Sequence, residues 1–155
     1  MISKRSFLAA LLVAGLAVSP RTAGACSCTG EPSFDLAVSS SRQIFRGTVL
    51  DVRSAEPEHS YMVWATLVVE RAWKGTPGDT TSILTGQDDG ICGFHFVPGE
   101  TYLVYAQAYG AGDIMFTHSC SRSHEAWAGD PDPAALDAVT PVRGRTWGAL
   151  KLHYR

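Results

Sequence analysis

The chain has 155 residues, with 13 lysines and arginines against 15 aspartates and glutamates. That length suits one compact domain. The charge leaves no basic surplus to hold phosphates, which argues against a nucleic-acid partner.

Lys4 and Arg5 precede an unbroken apolar run from Phe7 to Val18, and Ala23-x-Ala25 supplies the small residues of a cleavage site. Residues 1–25 therefore read as a secretory signal. The run is shorter than the about 20 apolar residues that a membrane helix needs, and no other stretch is apolar enough to span. Cleavage after Ala25 leaves residues 26–155, a chain of 130 residues with a formal charge of −5. These residues are expected to form a single domain, with its core at 26–127 and a helix and tail at 128–155. The expected location is extracytoplasmic, in the periplasm or the medium.

In chain order, Thr29-Gly30-Glu31-Pro32 reads as a turn, and Ser33 as the cap of a short helix from Phe34 to Ser40. Gln43 to Val52 reads as a strand in which Gly47 marks a bulge or bend. Ser54 to Ser60 is a polar turn containing Pro57. Tyr61 to Trp73 is the longest strand; neither of its faces is clearly polar, which predicts cover on both sides near its middle. Lys74 to Asp79 is a connection and Thr80 to Thr85 a shorter strand. Gly86 to Gly90 is a polar loop leading into Ile91-Cys92-Gly93. Tyr102 to Tyr109 and Asp113 to Ser119 read as strands joined by a tight hairpin at Gly110-Ala111-Gly112. Pro133 to Val139 reads as a two-turn helix begun at Asp132. The tail from Thr140 has no assigned structure. Five strands, short helices at both ends and glycine-marked bends predict a mainly β chain, a small OB-like five-stranded β-barrel with short flanking helices.

All four cysteines, Cys26, Cys28, Cys92 and Cys120, follow the signal, and an even count in an exported chain predicts two disulfides. Three pairings are open. Cys26 with Cys28 is the strained one, since one residue separates them. Any other pairing sends both to distant partners, and each such loop closure stabilises by about 4–5 kcal/mol in chain-entropy terms. It also pins the first three mature residues to the body of the domain.

That terminus is the sharpest chemical candidate. A free α-amine has a pKa of about 7.7–8.0, so a useful fraction is neutral at neutral pH. The amine nitrogen and carbonyl oxygen of Cys26 can close a five-membered chelate on a metal ion. Catalytic zinc sites keep one position open, and a rigid terminus seated there displaces the attacking water. Ser27, between two anchored residues, must project outward.

Further motifs follow in order: Ile44-Phe45-Arg46-Gly47-Thr48-Val49, Trp73-Lys74-Gly75, Cys92-Gly93-x-x-Phe96, Tyr102-Leu103-Val104-Tyr105-Ala106, and Cys120-Ser121 after Phe116-Thr117-His118-Ser119. In order and cysteine spacing, the stretch from Cys26 to Trp127 resembles the N-terminal inhibitory domain of the tissue inhibitors of metalloproteinases, and more broadly netrin-like modules, as a bacterial member. The resemblance implies an OB-like barrel with Cys26 bonded to Cys92 and Cys28 to Cys120. It implies that the Cys26 amine and carbonyl chelate the zinc of a partner protease, with Ser27 in the specificity pocket beside it. Thr29 then continues the wedge, and Gly90 and Ile91, held by Cys92, complete the contact ridge. The chain differs from that family in having no third disulfide, no second domain and a short Asp51 to Tyr61 loop.

The other candidates read blandly. His59, His95, His118, His124 and His153 show no metal-ligand spacing. Ser27 has no base beside it, so no hydrolase triad is expected. Asp88-Asp89 reads as a solvated loop tip, and Trp64 and Trp73 as packing. The expectation is therefore a non-enzymatic, monomeric inhibitor of a zinc metalloprotease with no cofactor of its own. Three alternatives remain. One is a non-inhibitory netrin-like binding module. Another is a lipoprotein anchored at Cys26, which Ala23-Gly24-Ala25 before the cysteine allows. The last is a thiol redox or copper-handling protein using Cys26-x-Cys28.

Overall fold

A computed structural model describes residues 26–140; the predicted signal and the tail beyond Thr140 lie outside the described residues. In chain order the elements are α1 (Phe34–Ser40), β1 (Gln43–Ser54), β2 (Met62–Lys74), β3 (Thr80–Gly86), a 3-10 turn (Asp89–Ile91), β4 (Thr101–Ala108), β5 (Met115–Phe116), β6 (His124–Glu125) and α2 (Asp132–Val139).

The sheet closes on itself. β1 pairs antiparallel with β2, β2 with β3 and β4 with both β5 and β1, while β3 meets β5 in parallel at Leu84 and Phe116. These five strands form a ring, and β6 adds a short pairing to β4. The chain is thus mainly β, barrel-like, with two short helices. β1 lies between β2 and β4, and its ladder to β2 shifts register at Ile44/Phe45, at Arg46/Gly47 and between Val49 and Asp51. The bend at Gly47 follows from space: a Cβ there would stand 2.7 Å from the Val68 carbonyl oxygen.

Alternation decides what the ring encloses. Phe45 and Val49 from β1, Ala65 and Leu67 from β2, Ile83 from β3, and Tyr102, Val104 and Ala106 from β4 point inward, joined by Phe96 and Met115. The opposite face of β4 is buried too. Leu103 and Tyr105 pack with Ile44 and Trp73 beneath Ala37 of α1 and Leu136 of α2. Both helices therefore cover one outer patch, which is why β4 shows no polar alternation. On β2 the cover is uneven: Trp64 and Thr66 are half-buried on the outer side and Val68 is exposed.

Two expected elements change. The strand expected from Asp113 to Ser119 shrinks to Met115–Phe116. Thr117 still donates its amide to the Leu84 carbonyl of β3 at 3.0 Å, while its hydroxyl turns to the Tyr105 carbonyl and to Ser123, and no ladder pairing continues beyond it. A two-residue strand at His124–Glu125 was not expected. Ser33 does cap α1, its hydroxyl accepting from the Leu36 amide.

Candidate functional site

Cys26, Ser27 and Cys28 have no regular secondary structure. Of the three pairings open to four cysteines, the structure has Cys26 with Cys92 and Cys28 with Cys120, each with Cα atoms 5.3 Å apart, and no described cysteine is free. Two bonds in three residues leave Ser27 exposed between half-buried Cys26 and exposed Cys28, and exposed Thr29 follows.

The loop that holds Cys92 is itself fixed. Asp88 accepts from the Gly90 amide through its side chain (2.8 Å) and from the Gly93 amide through its carbonyl (2.9 Å). Cys92 takes the left-handed conformation (φ 59°), which turns the chain back toward β3. There the Thr85 hydroxyl accepts from the Phe94 amide at 2.8 Å. The crossing is so close that a Cβ on Gly86 would lie 2.9 Å from the backbone of Gly93. Gly90 and Ile91 are thereby presented outward, Ile91 with 41% of its surface exposed.

The two anchors are also tied to each other. The Cys92 carbonyl accepts from the Ser119 amide at 2.9 Å, next to Cys120. His118 Nδ1 accepts from the Cys120 amide at 3.2 Å, and its ring stacks on Phe116. Burial lowers the His118 pKa from 6.5, which keeps the ring neutral and its Nδ1 able to accept. The sequence reading thus named two segments, Cys26 to Thr29 and Gly90 to Cys92. The Cys26–Cys92 bond joins them directly, and Cys28 is joined to Cys120.

Beside the Cys28–Cys120 bridge lies a polar network that spacing alone did not reveal. Arg122 grips Asp132 with two parallel hydrogen bonds, Nε to Oδ2 at 2.6 Å and Nη2 to Oδ1 at 2.7 Å, and Tyr105 donates to Oδ2 at 2.7 Å. Burial alone would raise the Asp132 carboxyl, but the guanidinium and the phenol outweigh it and hold it below its usual value. Burial, reinforced by the carboxylate, raises the Tyr105 pKa strongly; the same carboxylate keeps Arg122 charged. Arg122 also reaches Glu31 at 3.2 Å and the Pro32 carbonyl at 3.3 Å, so it fastens the segment after Cys28 to α2. The adjoining cleft, of about 520 Å3, is lined by Cys28, Glu31, His124, Trp127 and Asp130 among others. The residue types gave a possible signal, a buried-type Asp at a helix start and an Arg beside a cysteine, but nothing in sequence paired them.

Among the described residues no group of three or more His, Cys, Asp or Glu is placed to hold a metal ion. Within the same span no helix is long and apolar enough to cross a membrane. Two disulfides point to an oxidising, extracytoplasmic compartment. The chain matches no protein-family model and no curated protein.

Proposed function

We propose that this chain is an exported inhibitor of zinc metalloproteases, a relative of the tissue inhibitors of metalloproteinases, acting through the amine and carbonyl of Cys26 once the signal is removed after Ala25. The observation that carries the reading is the double fastening of the first mature residues: Cys26 to Cys92 and Cys28 to Cys120, with Ser27 exposed between them. A flexible terminus would have to be ordered on reaching a metal. A stapled one has met that cost at folding. Exposed Gly90 and Ile91, continuous with Cys92, widen the surface that a protease cleft would meet.

The chemistry asked of the inhibitor is small. The neutral amine nitrogen and the carbonyl oxygen of one residue bind the partner's zinc and exclude water from its open position. The Ser27 side chain is short enough to enter a pocket beside that metal. No acid, base or nucleophile of this chain takes part, and the protein acts as a single copy.

The Cys26–Cys92 bond also weighs against a lipid anchor, because thioether formation at Cys26 would leave Cys92 without its partner. A netrin-like binding module that inhibits nothing is the second reading; the stapled fold serves it equally.

The test compares the exported protein beginning at Cys26 with a form carrying one additional alanine before it, against a panel of zinc proteases. Intact mass first establishes the terminus and the two disulfides. Chelation requires the extra residue to abolish inhibition while the melting temperature stays unchanged. Equal inhibition by both forms would sink the mechanism, and inhibition by neither would leave the binding module.

A further inference from the structure

His118 and His124 meet opposite kinds of neighbour. The Cys120 amide donates to His118 Nδ1, so that nitrogen carries no hydrogen. Both nitrogens of His124 face acceptors instead. Nδ1 stands 2.8 Å from the Arg122 carbonyl oxygen, and Nε2 stands 2.9 Å from Asp130 Oδ2. A neutral imidazole has one N–H, which serves only one of the two. The other contact then sets a lone pair against an oxygen. With a hydrogen on each nitrogen both contacts become hydrogen bonds, and the one to the carboxylate is charge-assisted.

Asp130 sharpens the demand. Its side chain is only 4% exposed, and among the described residues His124 is the one basic group that pairs with it. A carboxylate so covered is costly without a cation. The other charges around the ring do not supply one. Asp132 of α2 lies within reach of the ring's charge, Glu31 faces the same cleft, and exposed Glu125 follows in β6. Arg122 is committed to Asp132 and Glu31. β4, which sets Leu103 opposite His124, has no charged residue. A free imidazole keeps its proton to a higher pH than a free carboxyl does, so the hydrogen between Nε2 and Oδ2 belongs on the ring.

The pair fastens a loop. Residues 126–131 run from β6 to the start of α2. Within them the Asp130 amide donates to the Trp127 carbonyl at 3.3 Å, and the Trp127 ring lies 4.8 Å from the His124 ring. Trp127, 55% exposed, lines the cleft that Cys28 and Cys120 also line. Pro131 brings no capping side chain to α2, so Asp130 Oδ1, which accepts from the Asp132 amide at 3.0 Å, serves that end of the helix.

We propose that His124 and Asp130 form a proton-operated latch: a hydrogen on both ring nitrogens holds the 126–131 loop closed against β6, and loss of one frees the loop and with it the Trp127 wall of the cleft. Folding takes up this proton. The latch therefore contributes in full below about pH 6.5, where the histidine of an unfolded chain is protonated too, and its contribution is lost as rising pH strips the folded ring. The inference does not rest on the inhibitory reading and fails separately from it.

Long-range proton–nitrogen correlation spectra of the exported protein read the ring directly. At pH 7, where a free imidazole has mostly lost one hydrogen, His124 should carry both. As pH rises to 9 and the ring loses one, the hydrogen-exchange protection factors of the Asp130 and Asp132 amides should fall by about tenfold or more, the scale of one charged hydrogen bond. The Phe94 amide, bonded to Thr85, should keep its protection. Asp130→Asn separates the latch from packing. Its amide oxygen still accepts from Asp132, and its NH2 donates to Nε2 of a neutral ring. The loop then stays protected at both pH values. Three results overturn the proposal, two of them read on the unaltered protein. One is a His124 ring with a single hydrogen at pH 7, whether or not Asp130 holds the other. Another is protection at Asp130 and Asp132 that does not change while the ring titrates. The last is the parent's full loss of protection persisting in Asp130→Asn.

Discussion

Arg122 joins three parts of the chain that are far apart in sequence: the segment after Cys28 through Glu31 and Pro32, β4 through the shared carboxylate with Tyr105, and α2 through Asp132. The Asp132 side chain is only 4% exposed, so its charge has almost no water to fall back on. Arg122→Ala is expected to destabilise the domain by about 3–5 kcal/mol, because it leaves that carboxylate buried and unpaired. Urea unfolding at neutral pH measures the loss. Acid should narrow the difference. Folding lowers the Asp132 pKa from 3.8, so the pair's contribution is present in full above that value and is lost as pH falls through the lower, folded one. A gap between the variant and the parent that stayed constant down to pH 2 would mean that the arginine works through packing alone. This network was illegible in the sequence. Arg122 and Asp132 are close along the chain, but the third member, Tyr105, comes from β4 and shares the same carboxylate.

Elements were more legible where one physical cause dominated. α1 was readable because Ser33 and the apolar spacing behind it act locally. β1 and β2 were readable from length and alternation, apart from their ends. β5 was overestimated because Asp113 to Ser119 looks like a strand by residue type, while Thr117 has hydroxyl and carbonyl partners at Ser121, Ser123 and Tyr105 that no pattern announces. The turn at Asp89–Ile91 shows the same division. Its glycines marked a loop, but only the structure explains them: Gly93 crosses the end of β3 against Gly86. A Cβ on Gly93 would stand 2.8 Å from the Gly86 carbonyl carbon and 2.9 Å from the Asp88 carbonyl oxygen. Gly93→Ala should therefore cost about 1–3 kcal/mol and displace Gly90 and Ile91. Thermal unfolding reads the first effect, and hydrogen exchange at the Phe94 amide, now bonded to Thr85, reads the second. An alanine variant as stable and as protected as the parent would show that the loop yields freely.

Across the whole molecule, the bridges tie the start of the domain to its late segments, with separations of 66 and 92 residues. Most of their effect is expected on the unfolded chain, which they shorten. Replacing Cys28 and Cys120 together by serine should lower stability by about 2–5 kcal/mol while the five-strand ring persists, since none of its pairings involves either residue. Guanidinium unfolding with far-ultraviolet circular dichroism separates a weakened ring from an absent one. Loss of all β signal in the absence of denaturant would mean that the ring depends on the bridge. The pairing itself could not be read from cysteine count, because three arrangements satisfy it; the ring topology decides which sulfurs approach.

Because β3 meets β5 at one residue pair, Leu84 with Phe116, the ring keeps an open stretch: the Thr80–Ile83 part of β3 has a ladder partner only in β2. Association by lending or borrowing a strand, the common route to β-augmentation and to runaway stacking, has its foothold there. A visitor seated on that stretch is held by main-chain ladder bonds, whereas one that meets the Cys26–Cys92 end is held by loop tips and side chains.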